Sequence, residues 1–407
     1  SNLSIVNLQS ILGSRWSMNL TLSRLFTNLR ADANGRPFRD SEINQIYDPR
    51  SITTYPISVF NPDSSVVLVN PTNGLINNGG IATRWHDHHE QEYTIKGNFN
   101  YAPSSKVHYL SFGFEHREQE YQWIDVFRPW VGAPIRIDEN TFFSTNRIGI
   151  SNEIWKVNPA EGGIFFEDKI RYKGIIASMG LRFSYWAPGK YADDAIENRS
   201  NPLPDFIREE YRNSTTAIGG RRWKARLLPN LNVSFPVTEN NVLYFNYSHT
   251  LRTQHPRFLY SGLDPKYLSS SVLSDLGNPN LDPETAVSYE VGLKTQLTSD
   301  WALGLTAFYK DQFNFASIEN IQVRNANTGR LENKSFMVSS DYARSRGVEV
   351  SIQRRIAKWF NGSLTGSYQV ATGKSNTAYE SKLLVQQTGR RDVNKETFLA
   401  WDRPFEF

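Results

Sequence analysis

Trp85-His86-Asp87-His88-His89-Glu90 gathers three of the chain's seven histidines and two carboxylates into adjoining positions. Imidazole nitrogens and carboxylate oxygens together suit zinc, iron or copper. Successive side chains on an extended segment point to opposite faces, so at most His86 and His88 share one. That pair is a candidate metal contact. The plainer reading is a solvated loop end running into a strand at Tyr93; it is preferred, and no resident metal or cofactor is expected. A second group is aromatic: Tyr121, Trp123, Phe127, Trp130, Phe142, Phe143 and Trp155 crowd one long connection. Such rings stack on sugars or flat chelates if exposed, or pack strand on strand if the connection is really a tall hairpin; the second reading is preferred. Trp123, Trp130 and Trp155, with Arg252 and Tyr260 further on, are the candidate substrate contacts. Arg221-Arg222-Trp223-Lys224 is read as a solvated flank of a strand rather than a phosphate site. No Ser-centred glycine elbow, HExxH pair or phosphate-cradling loop occurs. An enzyme is not expected.

Composition removes other classes. Lys plus Arg number 45 against 41 for Asp plus Glu, a net charge of +4, without the basic excess of a nucleic-acid binder. The absence of cysteine removes disulfides, thiolate metal sites and thiol nucleophiles together. Mean hydropathy is −0.51, and no run approaches the roughly 18 to 20 apolar residues of a membrane helix. Aromatic residues nonetheless reach 13% while charged ones stop at 21%. Aromatics favour strands and form girdles on membrane barrels.

The elements that must position these residues are strands. Trp16, Met18, Leu20 and Leu22 alternate with Ser17, Asn19, Thr21 and Ser23. The same period of two runs through Tyr93–Tyr101, Ile175–Tyr185, Leu243–Tyr247, Val287–Leu293, Trp301–Tyr309 and Phe360–Val370. These runs last about nine to twelve residues, the length of a tilted membrane strand, where soluble strands stop at about five or six. Short connections (Gly13-Ser14, Ala102–Ser105, around Lys173, Pro236–Asn240, Thr298–Asp300, Ala357-Lys358) alternate with long ones at 31–90, 118–161, 186–224, 250–284, 311–345 and 372–397. Short periplasmic turns and long extracellular loops have this rhythm. The expected fold is therefore all-β, an antiparallel transmembrane β-barrel, with Trp16, Met18, Leu20, Leu22, Ile175, Met179, Leu181 and Phe183 facing lipid.

About thirteen strands are counted, the first at Leu3–Leu12 and the last at Phe398–Phe407, whereas closed bacterial barrels carry even numbers. The expectation is an incomplete barrel over 1–407. Ser1-Asn2-Leu3-Ser4 has no basic, then apolar, leader, so a signal has been removed or the chain is part of a longer product.

Residues 227 to 294 add a specific signal. Leu228-Pro229-Asn230-Leu231 leads to Ser248-His249-Thr250-Leu251-Arg252-Thr253-Gln254-His255-Pro256, then Leu276-Gly277-Asn278-Pro279-Asn280-Leu281-Asp282-Pro283-Glu284 and Ser288-Tyr289-Glu290-Val291-Gly292. With Tyr342–Glu349, Leu399–Pro404 and the upstream Phe166–Ile170 and Gly180–Tyr185, this resembles the C-terminal barrel region of TonB-dependent outer-membrane receptors. The resemblance implies the outer membrane of a Gram-negative bacterium and uptake of a scarce ligand (siderophore, vitamin, oligosaccharide or peptide) driven by the inner-membrane TonB complex. It implies a plug and a TonB box too, and neither pattern occurs in these residues. Outer-membrane lipid, lipopolysaccharide and a surface lipoprotein are the other partners implied, and nucleic acid is not. A non-transporting adhesin or scaffold on the same barrel is the alternative, and a soluble β-rich carbohydrate-binding or hydrolytic protein the third. Glu284 and Glu290 are read as a turn anchor and a lumen carboxylate rather than as ligand contacts.

Overall fold

The computed structural model describes residues 1–31, 66–67, 84–127, 135–136, 142–143, 151–201, 203–263, 275–324, 331–355, 360–374, 380 and 396–406. One antiparallel meander dominates it: β1 Asn2–Leu12, β2 Trp16–Ala31, β3 Arg84–Tyr101, β4 His108–Phe127, β5 Ser151–Val157, β6 Ala160–Tyr172 and β7 Ile175–Ala187. Helices α1 Lys190–Glu197 and α2 Asp205–Ser214 follow, then β8 Arg221–Thr238, β9 Asn241–Arg252 and the short α3 Pro256–Tyr260. The meander resumes with β10 Glu284–Gln296, β11 Trp301–Arg324, β12 Leu331–Arg354 and β13 Gly362–Gly373. Strands β5 and β6 form one pass interrupted at Asn158-Pro159, since both pair with β4 in continuous register from Phe127↔Ser151 down to His108↔Ile170. Proline cannot donate to the ladder, so the break falls there.

Each strand pairs with its neighbours in the meander, and side chains divide by parity. One hydrogen-bonded row runs Leu20↔Gly97↔Phe114↔Ile164↔Phe183↔Leu227 across six passes, and its members Ile164, Phe183 and Leu227 are exposed at 59%, 44% and 56%. The next row, on the opposite face, is Thr21↔Lys96↔Glu115↔Gly163↔Ser184↔Arg226. Large apolar groups thus point outward and charges inward, the reverse of a water-soluble sheet with its apolar face buried. Of the eight expected outward residues, Trp16, Leu22, Ile175, Met179, Leu181 and Phe183 lie exposed, and Met18 and Leu20 are half-buried on the same face. Outward aromatics form two levels: Trp16 with Tyr101 and Phe112 near the short turns, and Tyr247, Tyr289 and Tyr309 in a row higher up. These are the girdles of a membrane barrel.

The turn between β6 and β7 contains only Lys173 (φ 47°) and Gly174 (φ 85°), the two positive φ values a tight hairpin demands. Among the described residues no pairing joins β1 to the far edge. There the outer edge of β13 pairs with the short pieces Thr397–Phe398 and Phe405–Glu406 and bonds to the turn between them. The expected strand over Phe398–Phe407 is instead two short pieces around a turn. Asp402 N–H donates to Leu399 O at 2.8 Å, the Asp402 carboxylate takes the Ala371 N–H, and Pro404 has no N–H to offer.

Other expectations need correction at the opposite end. Strands run on through much of what the sequence marks as long loops: β4 continues to Phe127, β11 to Arg324, and β3 already begins at Arg84. Beyond lipid a strand needs no apolar face, so the alternation that reveals the lower halves is missing above. The connection 186–224 is not structureless either. Gly189, at φ 94° and close against the Asn158 backbone, turns the chain into α1. Ala195, Ile196, Leu203, Ile207 and Tyr211 then pack with Leu263, Leu276 and Phe336 into a small core over the mouth. Arg208, 4% exposed, donates to the carbonyls of Ala195, Ile196, Leu203 and Asn201, closing the C-terminal end of α1.

Candidate functional site

The tall hairpins bring the aromatic and histidine groups to one inward wall of the mouth. Odd-numbered residues of β4 face inward, which puts Tyr121, Trp123 and Asp125 above Glu115 and Arg117. Their register partners on β5 are Val157, Trp155 and Glu153. On β3, His86 and His88 lie opposite Asp125 and Trp123. His88 stacks on Trp123 (centroids 3.8 Å, planes 20° apart), Trp123 on Trp155 (5.6 Å, 14°), and Trp155 meets Tyr260 at 5.7 Å.

Four of the five candidate substrate contacts are therefore placed, and they do not do the same work. Trp155 and Tyr260 are 2% and 0% exposed and pack with Val157 and Ala192. The Tyr260 hydroxyl donates to Pro188 O at 2.7 Å. They brace the mouth, as hairpin packing requires. Trp123 is half-buried and Arg252 is exposed at the top of β9. Trp130 lies outside the described residues. Arg252 borders two cavities, one of about 500 Å³ with Gln119, Tyr121, His255 and Glu284 on its wall, the other of about 410 Å³ reaching Glu115, Arg117 and Arg182. Glu161, Trp186 and Thr253 are shared by both.

Inside the lower cavity the charges are cross-braced. Arg117 reaches Glu115 at 2.5 Å and Glu161 at 3.3 Å, and Arg182 lies 3.6 Å from Glu115. The upper part is held by Glu153, which accepts from Trp155 Nε1 (3.2 Å) and Ser261 Oγ and faces Arg257 at 3.3 Å. Burial pushes the Glu153 carboxyl above its usual range despite Arg257 and those hydrogen bonds. Burial also lowers His255, with Arg257 and Arg252 acting in the same direction. The Asp125 carboxylate accepts from His86 Nδ1, from His88 Nε2 at 2.6 Å and from Trp123 Nε1 at 3.0 Å. Burial alone would raise it, but the bonds from His88 and His86 hold it below the usual carboxylate range. Sequence reading singled out His86, His88, Trp123 and Trp155 but not Asp125, Glu153 or Arg257. The i, i+2 spacing of Trp123 with Asp125 and of Glu153 with Trp155 was the available signal.

The Gly277–Glu284 segment ties this mouth together. A Cβ on Gly277 would meet the Leu259 and Ser261 backbone at 2.7–2.8 Å, so only glycine fits. Asn278 Nδ2 donates to Met337 O (3.0 Å), Lys224 Nζ to Asn280 O (2.9 Å), and Gln254 Nε2 to Asp282 O (2.9 Å). Glu290 faces the lumen and accepts from Asn246 at 3.0 Å. The basic run is braced rather than solvated, a correction to the expected flank. Arg221 pairs with Glu118 at 2.9 Å, Arg222 Nε donates to Thr215 Oγ1 at 2.8 Å, and Lys224 is 5% exposed.

Residues 6–399 match the family described as TonB dependent receptor-like, beta-barrel. The chain belongs to that family. It is accordingly a β-barrel chain of the Gram-negative outer membrane, with short periplasmic turns and an extracellular mouth. No curated protein matches it by sequence. Among solved structures it is similar to the outer membrane transporter YddB from Escherichia coli, at 10% identity and a TM-score of 0.56, over 92% of this chain and 42% of that one. It is also similar to the pyoverdine outer membrane receptor FpvA from Pseudomonas aeruginosa PAO1, at 11% identity and 0.51, over 93% and 45%. Likenesses at this identity speak for the barrel fold. The chain spans less than half the length of either.

Proposed function

We propose that this chain forms the wall and mouth of an outer-membrane transport receptor, which captures a scarce ligand at the extracellular opening and passes it inward with energy from the TonB complex. The observation that carries the reading is the 500 Å³ inward-facing cavity at the mouth, with Tyr121, Arg252, His255 and Glu284 on its wall, above a charged lumen. Aromatic faces beside opposed charges recognise a polar ligand with flat or cyclic parts, as siderophores, vitamins, oligosaccharides and peptides have. In this reading Trp123, Arg252 and Trp130 make the contacts while Trp155 and Tyr260 hold the wall. A plug in the lumen, carried outside residues 1–407, couples the barrel to TonB. The outer-membrane lipid, lipopolysaccharide and a surface lipoprotein complete the partners.

The test is growth of cells limited in turn for iron as ferric siderophore, a vitamin, an oligosaccharide and a peptide. Cells lacking the complete receptor and cells lacking the TonB complex should fail on the same one of these, and Arg252→Ala should reproduce a partial defect. Unimpaired growth of the receptor deletion on all of them would favour a non-transporting adhesin or scaffold.

A further inference from the structure

We propose that His86, His88 and Asp125 bind a divalent zinc or copper ion on the inner wall of the mouth. Their donor atoms, one from each side chain, all lie within 4.8 Å of one another. Metal–nitrogen and metal–oxygen bonds of about 2.0–2.2 Å put ligand atoms of one site up to about 4 Å apart, so the set needs only small side-chain rotations to close on an ion. The backbone supplies the rest of the geometry. His86 and His88 sit two apart on β3 and share a face, and Asp125 is the direct register partner of His86 on β4. Two imidazoles and one carboxylate leave coordination positions for water or for a chelating ligand, and nitrogen-rich sets of this kind favour zinc and copper over magnesium or calcium.

The surroundings fit a metal site as well as the donors do. Trp123 Nε1 donates to the second Asp125 oxygen at 3.0 Å, holding the carboxylate in orientation, and the Trp123 ring lies flat against His88. Such outer partners fix ligand orientation and tune affinity. The side chains of His86, His88 and Asp125 are 23%, 15% and 29% exposed, sheltered yet open to the mouth for an ion to arrive. His89, on the opposite face of β3, pairs with Glu120 at 3.0 Å and takes no part. The proposal is independent of which ligand the mouth passes, so its failure would leave the transport reading untouched.

The test uses the complete receptor purified in detergent and the metal alone. Calorimetric titration with Zn²⁺ should show one equivalent per chain. Cu²⁺ should give an electron paramagnetic resonance spectrum with hyperfine structure from two nitrogens. His86→Ala, His88→Ala and the near-isosteric Asp125→Asn should each weaken binding by about tenfold or more, while His108→Ala, near the short turns, leaves it unchanged. Heat-modifiable migration of each variant confirms that its barrel has folded. A wild-type receptor that takes up no ion, or unchanged affinity after any one of the three substitutions, would overturn the site.

Discussion

Single residues at the mouth act mostly by holding other residues, and this decides what their replacement should do. Trp155 is 2% exposed between Trp123 and Tyr260. Trp155→Ala should cost about 3–5 kcal/mol locally, seen as faster amide exchange over Ser151–Val157; unchanged exchange there would show that the ring column does not brace the hairpin. Asp193 on α1 accepts from Tyr211 Oη at 2.7 Å and from Arg222 N–H at 3.2 Å. Burial raises its carboxyl above the ordinary range, with Tyr211 and Arg222 opposing. A raised folded-state pKa contributes stability that is full below the ordinary carboxylate range and is lost as pH rises through the raised value. Asp193→Asn keeps an acceptor and cannot ionise, so amide protection of α1 should stop falling between that range and neutral pH. An undiminished pH dependence in the variant would assign the effect to another group.

At the scale of elements, the lower halves of the strands were readable and the upper halves were not. Trp16–Ser23 and Ile175–Tyr185 betray themselves because lipid demands an apolar residue at every second position. On β4, Glu115-His116-Arg117-Glu118-Gln119-Glu120 carries the strand on above lipid with no such demand, so its extent is invisible to periodicity. Helices α1 and α2 are too short for their amphipathic pattern to stand out, and their apolar sides meet residues from distant parts of the chain, Leu276 and Phe336 among them. The candidate site was half legible for the same reason. His86, His88, Trp123 and Trp155 stand out by type, whereas Asp125 and Glu153 are marked in the sequence only by their i, i+2 spacing from Trp123 and Trp155, and register places them in the site. Two expectations belong here. Leu181→Arg, facing lipid, should cost about 2–4 kcal/mol in the denaturation midpoint of the folded receptor. Asn230→Arg, on the neighbouring strand but facing inward, should cost far less; equal costs would contradict the assignment of faces. Arg208→Ala should strip buried carbonyls of their donor and loosen α1 and α2 by about 3 kcal/mol, read as local hydrogen exchange with the barrel unaffected.

For the whole molecule, the sheet separates two environments: a short-turn rim at the periplasm and a packed, charged mouth above the membrane. The resemblance over residues 227–294 anticipated the family, and register shows why that segment is built as it is: it fastens α3 to the tops of β8, β11 and β12 through Lys224, Asn314 and Met337. Capture from outside requires that this mouth face the medium. Residues 1–407 contain no cysteine, so a single introduced cysteine is the one thiol in this part of the protein. The decisive measurement is labelling of intact cells with a membrane-impermeant maleimide, using Ser200→Cys beside α1 and Ser104→Cys in a short turn. Ser200→Cys should label at once and Ser104→Cys only after the outer membrane is permeabilised. Labelling of Ser104→Cys on intact cells with Ser200→Cys protected would contradict an outward-facing receptor mouth.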